Sequence, residues 1–95
     1  MNEKEPILEK LFASEVKVEL LVLFHGNPGI VDTMDGVARR IGRRGSDIEA
    51  DLEDYVTLGI LRKRTLGNQK IFSLDRSGDK QMQNSLDYYF KSLGR

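Results

Sequence analysis

The 95-residue chain is long enough for one modest core, and the absence of cysteine excludes disulfides, thiolate metal sites and cysteine nucleophiles. Apolar residues make up 39% and charged residues 32%, which suits a folded soluble domain and excludes a disordered one. The net charge of zero argues against a uniformly basic nucleic-acid binder, and the longest apolar run, Leu20 to Phe24, is far short of a membrane span.

The first stretch, "MNEKEPILEK", is polar and acidic where a signal peptide would be basic and then apolar, so a cytoplasmic protein without membrane association is expected. Ile7, Leu8, Leu11 and Phe12 predict a short helix over 6–13. Ser14 then caps a second helix, in which Val16, Leu20, Leu23 and Phe24 make a stripe that Leu21 and Val22 widen until the helix reads as largely buried. "NPG" at 27–29 stops it. Ile30 and Val31 suggest a very short extended segment.

Asp32 or Thr33 caps the next helix, whose Met34, Val37, Ala38 and Ile41 fall on one side and whose terminator is Gly42. After "RRG", Ser46 and Glu49 have the spacing of a capping box. Ile48, Leu52, Tyr55 and Val56 form the apolar stripe of that helix, and Gly59 ends it. Ile60–Arg64 and Gln69–Leu74 read as strands of a hairpin turning at "TLGN". Asp79–Leu93 is an amphipathic helix with Met82, Leu86, Tyr89, Phe90 and Leu93 along one side. Tyr89 and Phe90 read as core or subunit packing, with Tyr88 exposed.

No catalytic constellation emerges. The single histidine, His25, lacks partners for a metal site and is read as contacting the free carbonyls at a helix end. The serines have no His–acid pair behind them, and neither phosphate-binding glycine motif occurs. No enzyme activity, cofactor or metal is expected.

The ordered set "DGVARRIGRRGSDIEADLEDYVTLGILRKRTLGNQKIFSL" resembles the winged helix-turn-helix domain of small prokaryotic and archaeal transcription regulators of the ArsR and MarR kind. The resemblance is carried by Val37, Ala38 and Ile41, by Ile48, Leu52 and Tyr55, by "LGIL" at 58–61 and by Ile71, Phe72 and Leu74. It implies an α+β, mostly helical domain spanning 1–95. The winged-helix core would cover 14–74, with extra N- and C-terminal helices at 6–13 and 79–93. ArsR-type metal sensors carry a cysteine pair in the core's third helix; this chain has none, which rules out that form of metal sensing.

The resemblance also implies double-stranded DNA as partner and a homodimer as the acting form. The third helix, over 46–58, would enter the major groove with Ser46, Asp47, Ala50 and Asp51 facing bases. The turn arginines Arg39, Arg40, Arg43 and Arg44 and the wing residues Arg62, Lys63, Arg64 and Lys70 would hold phosphates. Leu8, Leu11, Phe12, Met82, Leu86, Tyr89, Phe90 and Leu93 would form the dimer seam.

The charge pattern poses a problem for this reading. Residues 46–61 hold five acids and no base, between two blocks rich in arginine and lysine. Asp47 and Glu49 suit the start of a helix through its dipole, but Asp51 and Asp54 would stand towards the DNA. A carboxylate can accept from cytosine N4, provided the phosphate anchors lie elsewhere. The turn arginines would otherwise pair with Asp47, Asp51 or Asp54. The alternative is a winged-helix protein-interaction module whose acidic third helix binds a basic partner.

Overall fold

In the computed structural model, which describes residues 10–93, Ser14 opens helix α1 (Glu15–Gly26) by accepting the Lys17 amide at 3.0 Å. The helix predicted over 6–13 lies largely outside the described residues; Lys10 and Leu11 are helical. At its far end Asn27 Nδ2 donates to the Leu23 carbonyl, and Pro28 prevents continuation. Leu20, Leu21 and Phe24 are buried. Val18 and Val22 stand exposed, so α1 is less buried than the largely buried helix that the apolar count implied.

Strand β1 (Val31–Thr33) follows, and Thr33 caps helix α2 (Met34–Arg40) by accepting the Gly36 amide. The end of α2 is closed by paired backbone bonds from Gly42 to Arg39 and from Arg43 to Ala38, with Gly42 at φ 71. Helix α3 (Gly45–Thr57) ends the same way, through Gly59 to Val56 and Ile60 to Tyr55, with Gly59 at φ 82. Both glycines take the left-handed conformation at little steric cost, so both helix ends were legible in advance.

The start of α3 differs from expectation. Its cap is Arg44, whose amide donates to Asp47 Oδ2 at 3.4 Å, and Ser46 already lies inside the first turn. The chain reaches helical geometry two residues sooner because the closing bonds of α2 leave only Ile41–Arg44 between the helices.

Strands β2 (Leu61–Leu66) and β3 (Gln69–Leu74) pair antiparallel from Leu61↔Leu74 to Leu66↔Gln69, and β1 pairs on the other edge of β3. Side chains alternate between faces, so Leu61, Phe72 and Leu74 share the core face with Lys63, Thr65 and Lys70 further out. Arg62, Arg64 and Ser73 take the other face. The outer part of the hairpin therefore projects from the core as a wing.

Helix α4 (Arg76–Leu93) begins before the predicted Asp79, because Asp75 accepts the Gly78 amide at 3.0 Å and caps it. The carbonyl of Gly59 lies where a Cβ on Gly78 would stand, so a glycine is required for this first turn to seat on the end of α3. His25 Nδ1 lies 2.7 Å from Asp79 Oδ1, joining α1 to α4 through a side chain and not through helix-end carbonyls.

The core joins Leu20, Leu21 and Phe24 to Val37, Ala38, Ile48, Leu52, Tyr55, Ile60, Leu61, Phe72, Leu74 and Met82. Ile48, Leu52 and Tyr55 are completely buried, and truncating either aliphatic to alanine costs about 2–5 kcal/mol. The Tyr55 hydroxyl lies 2.7 Å from both the Leu11 and the Lys17 carbonyls and donates to this pair. Burial, with the nearby Asp51 charge, pushes the phenol well above its ordinary value, so it remains a donor. The architecture is the expected α+β winged helix-turn-helix, with α2, the turn and α3 beside the wing.

Candidate nucleic-acid interface

The outward side of α3 follows from its inward one. With Ile48, Leu52 and Tyr55 buried, a 3.6-residue repeat puts Ser46, Ala50, Glu53 and Thr57 on the opposite face. Ser46, Ala50 and Thr57 are exposed and Glu53 is partly so. Asp47, Asp51 and Asp54 lie on the flank towards α1, and Glu49 lies exposed on the other flank.

Asp51, expected to face bases, lies instead against a lysine of α1. Lys17 on α1 is 8% exposed, and its Nζ lies 2.7 Å from Asp51 Oδ1 and 2.8 Å from Asp54 Oδ2. Ser14 Oγ also donates to Asp51 at 3.3 Å. Burial alone would lower the Lys17 ammonium pKa, but the hydrogen bonds and charges of Asp51 and Asp54 outweigh it and raise it. The Asp51 side chain is only 17% exposed, so it cannot reach a base without breaking this group. Asp54 keeps one side towards water.

The cations divide into two sets. Arg39 and Arg64 are exposed and form no ion pair among the described residues, while Arg44 is 87% exposed with Asp47 at 3.7 Å. The others are engaged. Arg43 grips Glu19 through Nε at 2.8 Å and Nη2 at 3.0 Å, which holds the Glu19 carboxyl below its ordinary range. Arg40 meets Asp32 at 3.2 Å, and Arg62 meets Asp75 at 3.3 Å. Lys63 and Lys70 converge on Glu53. Of the pairings anticipated with Asp47, Asp51 and Asp54, only that of Arg44 with Asp47 forms.

Sequence reasoning missed Lys17, Glu19 and Glu53 as organisers of this surface. One signal was available: Lys17 precedes Leu20, Leu21 and Phe24 at helical spacing, so it shares their buried stripe and requires a carboxylate partner. The Lys63–Glu53 and Arg43–Glu19 contacts join separate elements and left no local trace.

The seam residues also divide. Leu11 and Met82 are packed into this chain's own core, and Leu8 lies outside the described residues. Leu86 and Tyr89 are partly buried, leaving Phe12, Phe90 and Leu93 as open apolar surface, while Tyr88 is exposed on another side of α4. The Tyr89 and Phe90 rings meet edge-on at 5.8 Å. No described helix is long and apolar enough to cross a membrane.

No family model matches the chain, and no curated protein matches it. Solved structures do. The AntR antimony-specific transcriptional repressor is 16% identical with a TM-score of 0.64, covering 95% of this chain and 80% of that one. A possible transcriptional regulator from Methanosarcina mazei Go1 is 13% identical with a TM-score of 0.65, covering 98% and 84%. The homodimeric winged helix-turn-helix DNA-binding domain of Mb0332 from Mycobacterium bovis, a possible ArsR-family transcriptional regulator, is 12% identical with a TM-score of 0.62, covering 96% and 87%. At these identities the likeness is one of fold, and the fold is the winged helix-turn-helix.

Proposed function

We propose that this chain is a sequence-specific, DNA-binding transcription regulator that acts as a cytoplasmic homodimer. The observation that carries the reading is the withdrawal of Asp51 and Asp54 onto Lys17, which takes two of the five acids of α3 off its outward face. The puzzle of an acidic recognition helix is thereby reduced to Asp47, which Arg44 faces, and to Glu49 and Glu53. Arg39, Arg44 and Arg64 stand ready for phosphate at the turn and on the wing, with Ser46 and Ala50 left towards base edges. The engaged cations at 40, 43, 62, 63 and 70 are secondary contacts, each requiring an internal pair to open. The more exposed pairs of Arg40 and Arg62 contribute roughly 0–1 kcal/mol and open at little cost, whereas the partly buried pairs of Arg43 with Glu19 and of Lys63 with Glu53 cost more to open.

The dimer reading rests on Phe12, Phe90 and Leu93, apolar residues left uncovered on the described surface. A C2 pair through the terminal helices would set two copies of α3 about 34 Å apart, one turn of duplex DNA. A solved transcriptional repressor and two possible transcriptional regulators support the DNA-binding part of the reading, and the homodimeric winged helix-turn-helix DNA-binding domain among them supports the dimer.

The test is fluorescence anisotropy of mixed-sequence duplex DNA at about 50 mM and about 200 mM salt, where phosphate contacts make affinity fall steeply. Such a fall supports the reading and leads to a search for an operator. Absence of binding at the lower salt refutes it and favours a protein partner for the Glu49 and Glu53 side of α3.

A further inference from the structure

Glu53 stands on the outward face of α3, where the DNA reading would place base edges or phosphate, yet it is only partly exposed. Both strands of the wing cover it. Lys63 Nζ lies 2.8 Å and 3.0 Å from its two carboxylate oxygens, and Lys70 Nζ lies 3.8 Å from Oε2. These lysines lie on the sheet face that carries Leu61, Phe72 and Leu74 nearer the core. Where that face leaves the core, ammonium groups replace apolar side chains, and α3 answers with one carboxylate. Two wing cations thus meet an anion of the protein's own at the junction of wing and recognition helix.

The geometry points to Glu53 as an internal stand-in for a DNA phosphate. It holds the Lys63 and Lys70 ammonium groups in the free protein and must release them when duplex DNA binds, and this sets both affinity and salt dependence. The inference rests on the DNA-binding reading above. Two cations and one anion present a net single charge to DNA, so the local site exchanges with one phosphate's worth of counterions instead of two. Removing the carboxylate charge without changing its shape frees the second.

The experiment titrates mixed-sequence duplex DNA with the full-length wild type, Glu53→Gln, Lys63→Gln/Lys70→Gln and the triple variant across a salt series, after circular dichroism has shown equal helicity. Glu53→Gln is expected to steepen the dependence of log K on log salt by about 0.9 and to tighten binding on the order of 8-fold near 0.1 M salt. That gain should largely vanish when Lys63 and Lys70 are already glutamine. An equal gain in both backgrounds would overturn the inference, because Glu53 would then act through general repulsion. Unchanged or weakened binding in Glu53→Gln would also overturn it, making Glu53 a brace for the wing. If neither wild type nor variant binds at low salt, the DNA reading fails and the inference fails with it. Binding by both with one common slope defeats the inference alone.

Discussion

Lys17 on α1 and Asp51 on α3, separated by 34 residues in the chain, meet at 2.7 Å, Nζ to Oδ1. The same lysine also reaches Asp54, and its carbonyl receives the Tyr55 hydroxyl, so three contacts hold this flank of α3 against α1. One cation therefore fixes one flank of α3 and leaves Ser46 and Ala50 free.

Lys17→Met should cost about 2–3 kcal/mol in urea unfolding. This is less than the roughly 3–5 kcal/mol of a fully enclosed pair because Asp54 still reaches water. The double variant Lys17→Met/Asp51→Leu should recover most of that loss, since an apolar pair leaves no stranded charge. Equal destabilisation in both variants would show that the ion pair is not the source of the cost.

Acid should weaken the fold through Glu19 and Asp75. The Arg43 guanidinium lowers the Glu19 carboxyl from 4.5, and the Gly78 amide, then Arg62, lowers Asp75 from 3.8. A lowered folded pKa contributes stability that is present above the unfolded value and is lost as pH falls through the folded one. Urea midpoints at about pH 6 and about pH 3 should differ less in Glu19→Gln and Asp75→Asn than in the wild type. An unchanged difference would remove these two groups from the acid transition.

Among the basic residues, unpaired and paired arginines should behave differently. Arg64→Ala should lower the salt slope of DNA binding by about 0.9 with little change in stability, since Arg64 forms no ion pair among the described residues. Arg43→Ala should lower the urea midpoint because it strands Glu19, and should move the slope less. Reversal of that pattern would place the phosphate contacts at the turn instead of the wing.

For the subunit seam, Phe90→Asp places a charge on a side chain that is 60% exposed, so the protomer should remain folded while the dimer separates. Sedimentation should then give the monomer mass. An unchanged dimer would move the seam away from the end of α4. Met82→Asp is not an equivalent test, because Met82 is buried within the protomer and its substitution would unfold the chain.

Local chemistry was sufficient for the element order. Caps at Ser14 and Thr33, terminators at Gly42 and Gly59, apolar stripes at helical spacing and the Gly67–Asn68 turn act over a few residues, so they can be read one window at a time. The starts of α3 and α4 differ from expectation because Arg44 is an unusual cap and because Asp75 opens α4 through a turn in which the Gly59 carbonyl leaves room only for a glycine at 78. The count of acids in α3 was also visible from the chain, but their direction was not.

The tertiary structure decided which charges are spent inside the molecule. Asp51 and Asp54 belong to Lys17, Arg43 to Glu19, and Lys63 and Lys70 to Glu53, across separations of 10 to 37 residues. Composition and periodicity assign each charged residue to a helix face, but a charge acts through space on whatever packing brings near it. Local patterns along the chain specify a winged helix with two basic segments around an acidic one. Only the packing of α1 and the wing against α3 decided which of those charges remain outward for a partner.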